Sequence, residues 1–293
     1  MRRGCGEVTN GLLQTGSGRE VICICFSGVF VQMETADQNV VDQTMVTELG
    51  PRQNKKYCFV TALVYPSDAT DMPVPAESFA SFDFVLFTNR QLSLDGWEVI
   101  VLPEEEWLGY IQETDSSQLP FAHIYMSRYP KFMGWDYFAK NNRNYDVIFW
   151  IDGYFCPKST ENWDLFAKKI QDSESGILQQ QHPLDPHIEC DNIVRFHKDT
   201  KARMEKMKHY LKQNGCPHGI PMMQNGVFGY NPKNTKLTNA FRDFWSRYTG
   251  EKITYRDQPL WGLVSWIHKI TPITSNRLDK CVTIGKRTKH SYV

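Results

Sequence analysis

The sequence predicts an α/β fold: a mostly parallel sheet with helices on both faces, forming a single domain. Three observations lead there. First, the runs YCFVTALVY (57–65), FDFVLFTN (82–89), WEVIVLP (97–103) and YDVIFWIDGYF (145–155) are apolar almost throughout. Strands buried on both faces have that texture, whereas half-buried strands alternate. Second, segments with apolar residues at helical spacing are interspersed with such runs, the order that builds parallel sheets. Third, 41% hydrophobic and 23% charged residues over 293 positions make a packed globule rather than a disordered chain.

In chain order, residues 1–54 are rich in Gly, Thr, Gln and Asn and end in the turn and charge signals ELGPRQNKK. They read as a weakly ordered or peripheral extension, with 55–293 as the α/β domain. Three strands follow from Tyr57, and FMGWDYFAKN (132–141) is a helix leading into the strand that ends at Asp152. SGILQQQHP (175–183) is a further strand. DTKARMEKMKHYLKQNG (199–215) is a helix capped by Asp199 and stopped by Gly215. MMQNGVFGYNP (222–232) is a strand or hairpin, and NTKLTNAFRDFWSRYTG (234–250) a second helix with a glycine stop.

Composition excludes some functions. Lysine plus arginine and aspartate plus glutamate number 33 each, so no basic excess exists for coating nucleic acid. The apolar run VICICFSGVFV (21–31) falls short of the roughly 20 residues of a bilayer span, so no integral membrane span is expected. No small-residue cleavage site follows Arg2 and Arg3, and the run reads as a buried strand or a leader. The eight cysteines (5, 23, 25, 58, 156, 190, 216 and 281) contain no C-x-x-C pair and read as buried free thiols. Together these favour a soluble protein, cytoplasmic rather than in the Golgi lumen. No G-x-G-x-x-G, G-x-x-x-x-G-K-[ST] or G-x-S-x-G stretch occurs, against dinucleotide, P-loop and α/β-hydrolase chemistry.

The chemistry gathers around Asp152, an acid at the end of an apolar strand, where ligands bind in such sheets. As a structural group it caps the following turn, with Gly153 supplying an unusual backbone angle. As a functional group it holds a divalent cation or a sugar hydroxyl. Arg128 and Lys131 lie upstream in SRYPKF, at the expected start of the preceding helix, a plausible anion site. Downstream, TYRDQPLW places Arg256, Asp257 and Gln258 before an apolar helical run, a pattern of polar recognition.

Four stretches in order, Arg128-Tyr129-Pro130-Lys131, Trp150-Ile151-Asp152-Gly153, His182 with Glu189, and Arg256-Asp257-Gln258, resemble the GT-A glycosyltransferases. The likeness spans roughly 57–268 and is closest to the glycosyltransferase-like domain of plant mucilage and cell-wall proteins, more distantly to glycogenin-like enzymes. It implies a GT-A-like, Rossmann-related sheet and transfer of a sugar from a UDP- or GDP-sugar donor to a glycan acceptor. It further implies a Mn²⁺ or Mg²⁺ ion on Asp152, with His290 as a late second ligand. Arg128, Lys131 and Gly153 would serve the donor beside Asp152. Arg256, Asp257 and Gln258 would address the sugar or the reacting centre, an Asp-Gln pair that leans towards retention. The sequence departs from a full D-x-D, because Gly153 and Tyr154 follow Asp152. Two rivals therefore stand: a nucleotide- or glycan-binding module whose metal site has decayed, and a metal-dependent phosphoesterase.

HPLDPHIECDNIVRFH (182–197) gathers histidines and Cys190 without zinc-ligand spacing. It reads as a polar loop over the site, with His182, Glu189 and Asp191 as acceptor-binding groups. Trp245 and Trp261 sit at helical spacing with other apolar residues and read as core. Trp135 is the better candidate for stacking on a sugar.

Overall fold

The computed structural model describes residues 56–65, 75–76, 79–113, 121–159 and 161–285, and the backbone of 11–14, 20–26 and 29–34. The chain divides into two compact units, Met1–Arg52 and Gln53–Val293. In the first, β1 (Gly11–Gln14), β2 (Glu20–Phe26) and β3 (Val29–Glu34) form an antiparallel sheet in that order. The run at 21–31 thus contributes to two strands. Among the described residues no helix is long and apolar enough to cross a membrane.

The second unit is a mixed α/β structure around a seven-stranded sheet. Four consecutive parallel strands make up one end of it: β4 (Tyr57–Leu63), β5 (Phe82–Thr88), β6 (Glu98–Val101) and β7 (Val147–Ile151). β8 (Phe155–Pro157) belongs to a separate two-stranded ribbon. β9 (Ile177–His182), β10 (Met222–Tyr230) and β11 (Ile273–Thr274) complete the large sheet in the order β11-β9-β10-β7-β4-β5-β6. β10 alone runs antiparallel to its neighbours. β12 (Val282–Ile284) closes the ribbon with β8.

Why these strands are apolar throughout is visible in how they divide their side chains. Cys58, Val60 and Ala62 of β4 enter one core and Phe59 and Leu63 the other. Ile148 and Trp150 of β7 go to the first, Val147, Phe149 and Ile151 to the second. Both faces are covered, so the period-two split leaves no polar side. Each fully buried large side chain contributes about 1.5–3 kcal/mol.

The helices are α1 (Glu104–Tyr110), α2 (Ala122–Lys140), α3 (Trp163–Gln171), α4 (Pro186–Arg195), α5 (Lys201–Gln213), α6 (Thr235–Glu251) and α7 (Asp257–Ile267). They are shared unevenly. Residues of α1, α2 and α4–α7 build the first core, while α3 and a 3-10 turn at Leu278–Cys281 cover the second.

Several local expectations change. α5 is capped by Thr200, whose side chain accepts from Arg203 N, rather than by Asp199, which turns inward to other partners. Gly250 does not stop α6. The helix runs to Glu251, and Lys252, at φ 45°, takes the left-handed position with Glu113 and the Gln112 carbonyl on its ammonium. The expected loop over the site contains α4, because Asp185-Pro186 supplies an N-cap bonded to Ile188 N and a proline at the first helical position.

Candidate active site

Strand β7 delivers Asp152. Its five apolar residues are drawn into the covered sheet, and the acid is the first residue past them. Its backbone is fixed on both sides: N–H donates to Gly226 O (2.8 Å) and the carbonyl accepts from Phe155 N (2.8 Å). The side chain does not cap that turn. Oδ1 accepts from Trp150 Nε1 (3.0 Å) and lies 3.6 Å from Lys131 Nζ; among the described residues Oδ2 has no hydrogen-bonding partner. The side chain is 27% exposed. Gly153 is required by contact rather than by an unusual angle. A Cβ there would stand 2.5 Å from Leu63 Cδ2 and 3.2 Å from Ala62 O, at the end of β4.

Arg128 and Lys131 come from the interior of α2, not from its start. The helix begins at Ala122, so the expected anion site at a helix N-terminus does not form around them. Pro130 lies between the two cations and offers no N–H to the Met126 carbonyl. Lys131 is 2% exposed, and its ammonium stands 2.8 Å from Asp257 Oδ2. Arg128 Nε is 3.4 Å from Asp257 Oδ1.

Asp257 opens α7, where a carboxylate suits the positive end of the helix dipole. Burial pushes its pKa up. The opposing pull of Lys131, Arg128 and Arg256 is larger, and the carboxyl is held well below the usual carboxylate range. Asn225 Nδ2 donates to Oδ2 as well (3.2 Å). Arg256 N is bonded to Thr254 Oγ1 (2.9 Å), which itself donates to buried Asp199 Oδ2 (2.7 Å). Gln258 Nε2 reaches Met223 O (3.5 Å).

Two residues of this network went unsuspected in the sequence, Asn225 and Gln179. Trp261 Nε1 donates to Gln179 Oε1 (3.3 Å), Gln179 Nε2 to Asn225 Oδ1 (3.1 Å), and Asn225 to Asp257. A bulge brings Asn225 in. Against β9 the register jumps from Gln224↔Gln180 to Phe228↔Gln179, so β10 carries unmatched residues here. The one available signal was a polar Gln-Asn pair interrupting an otherwise apolar strand.

The remaining candidates separate. His182, at the end of β9, has Nε2 3.8 Å from Glu189 Oε2, and Glu189 is buried and also bonded by Asn192. Asp191 is on the exposed side of α4, paired with Lys208. His290 lies outside the described residues. Trp245 and Trp261 are buried as expected. Trp135 is buried too, with the Arg242 guanidinium 4.5 Å over its ring, which leaves that face no room for a sugar. The five described cysteines are free and buried, and burial pushes Cys190 up to about 12 and Cys216 and Cys281 to about 11.

The described residues do not fit a protein-held divalent cation. Asp152 offers one unengaged oxygen, both Asp257 oxygens face cations, and no group of three or more His, Cys, Asp or Glu among the described residues is placed around a common point.

No protein-family model matches the chain, and no curated protein does. Among solved structures, mouse xyloside xylosyltransferase 1 in its apo form is 11% identical, with a TM-score of 0.43 over 75% of this chain and 85% of its own. The galactosyltransferase LgtC with donor and acceptor sugar analogues is 11% identical, TM-score 0.40, over 75% and 73%. The apo WbbM bifunctional glycosyltransferase is 12% identical, TM-score 0.46, over 77% of this chain and 40% of that one. At TM-scores below 0.5 these likenesses carry no weight for function, which rests on the site itself.

Proposed function

We propose that the chain is a glycosyltransferase that binds a nucleotide-sugar, a UDP- or GDP-sugar, at the carboxyl edge of the sheet and passes the sugar to a glycan acceptor. The observation that carries this reading is the cluster of Asp152, Lys131, Asp257 and Arg128 at the end of β7, in which Asp152 is the more exposed acid and has one oxygen with no hydrogen-bonding partner among the described residues. Open sheets bind ligands at such an edge. A carboxylate oxygen without a partner accepts hydroxyl hydrogens, and sugars are dense in them.

The charge balance suits the reaction. Arg128, Lys131 and Arg256 set three cations against two carboxylates, an excess of one positive charge where a nucleoside diphosphate departs. In the transfer, the bond from the anomeric carbon to the phosphate oxygen breaks with its electrons going to the diphosphate. A bond from that carbon to an acceptor oxygen forms, and the acceptor's proton is released. Asp152 orients the sugar. Asp257 is 8% exposed and engaged on both oxygens, so it orders Lys131 and Arg128 rather than meeting the sugar directly. His182, its ring held beside buried Glu189, is the proposed contact for the acceptor.

The test is nucleotide release from a panel of UDP- and GDP-sugars, with simple phosphate monoesters in parallel. Wild type is expected to release nucleotide, and Asp152→Asn to lose release while keeping its circular dichroism and melting temperature. Tight binding without turnover would favour the binding module, and cleavage of the monoesters the phosphoesterase.

A further inference from the structure

We infer that Lys131 takes the place of a divalent cation at this site, so that the nucleotide-sugar is bound without a metal ion. The inference deepens the reading above and rests on it for the identity of the ligand. The claim about metal uptake stands without it.

The ammonium is where a cation shared by the two acids would be. Nζ lies 2.8 Å from Asp257 Oδ2 and 3.6 Å from Asp152 Oδ1, reaching both strand end and helix start from the side of α2. The side chain is almost wholly enclosed, and the Trp150 ring, its centroid 5.4 Å away, lines the ammonium's surroundings. That indole also bonds Asp152 Oδ1. One side chain therefore fixes the carboxylate and borders the cation.

A hard dication needs six or more oxygens at roughly 2.0–2.6 Å, drawn from carboxylates, waters and phosphates. Here the two carboxylates are already neutralised. A dication on the same oxygen pair would sit against a buried positive charge that has no route to solvent. The residues after Asp152, Gly153 and Tyr154, add no acid. The fixed ammonium performs the neutral half of a metal's task, holding two acids together. Arg128 and Arg256 supply the excess positive charge for the diphosphate.

The experiment has two arms on the full chain. In the first, Mn²⁺ alone is titrated into wild type, Asp152→Asn and Lys131→Met, with free Mn²⁺ followed by electron paramagnetic resonance and stability by melting temperature. Wild type is expected to leave the free-ion signal and its melting temperature unchanged. Lys131→Met leaves two carboxylates facing each other, so it should melt lower and regain temperature when Mn²⁺ is added. Mn²⁺ uptake by wild type that disappears in Asp152→Asn overturns the inference. If Lys131→Met does not fold, that wild-type comparison decides alone. In the second arm, UDP and GDP are titrated by calorimetry with EDTA or with Mn²⁺. Equal affinity in both supports the inference, and affinity that collapses in EDTA and returns with Mn²⁺ overturns it. Failure of the glycosyltransferase reading looks different: neither nucleotide binds under either condition.

Discussion

At the scale of single residues, Asp257 carries the sharpest consequence. Its pKa is depressed in the folded protein because the attraction of Lys131, Arg128 and Arg256 outweighs burial. The unfolded chain, with a carboxyl near 3.9, then binds the proton more readily, so stability rises with pH across that range. The contribution is complete above the ordinary carboxylate range and fades as pH falls through the lower folded value. Asp257→Asn leaves two cations short of a partner and should cost about 3–5 kcal/mol at neutral pH. Urea unfolding of both proteins should show that gap steady from pH 7 to about 5 and narrowing below about 4. The sequence exposed these acids and bases as types, since Arg128, Lys131, Asp152 and Asp257 all stood out beside apolar runs. It did not expose their pairing. The cation opposite Asp152 lies 21 positions upstream, and no local pattern records which face of a long helix turns towards a strand end.

Among elements, β10 decides most. Its irregular register beside β9 turns Asn225 towards Asp257 and sets Gly226 against Asp152. A Cβ on Gly226 would lie 3.3 Å from Asp152 Oδ2, tight enough to move the carboxylate by a few tenths of an ångström. Three residues further on, a Cβ on Gly229 would lie 2.5 Å from Phe149 Cε1 and 2.7 Å from Ile170 Cδ1, inside the packed second core. The two alanine variants should therefore fail differently. Gly226→Ala is expected to lower nucleotide release by at least about tenfold through misplacement while its melting curve stays close to wild type. Gly229→Ala is expected to lose about 1–3 kcal/mol in chemical unfolding. Strand and helix identities here were readable because burial on both faces leaves a long apolar signature. The bulge was not, because a shift of register depends on the neighbouring strand. Helix ends were misread for a similar reason: Asp199 has the chemistry of a cap, yet Thr254 claims one of its oxygens.

For the molecule as a whole, the uneven layering shapes what can be removed. The seven-stranded sheet, its helices and the Asp152 cluster all come from residues after Gln53. A chain starting at Gln53 should unfold cooperatively and bind UDP or GDP with the affinity of the full chain, checked by melting and calorimetry. A shortened chain that unfolds cooperatively but has lost the affinity would overturn this expectation. The fold class was legible from the texture of its strands. The concentration of most of the described helices on one side was not, since apolar runs report that both faces are covered and not by what.

The hydrogen bonds from Trp261 through Gln179 and Asn225 to Asp257 all point one way. An indole nitrogen can only donate, so it obliges the first amide to offer its oxygen, and the second amide inherits that polarity. The last atom in the line must then be a receiver. The buried tryptophan therefore does more than fill space: from three side chains away it dictates that Oδ2 of the acid at the head of α7 receives a hydrogen bond and cannot carry the acid's proton towards Asn225.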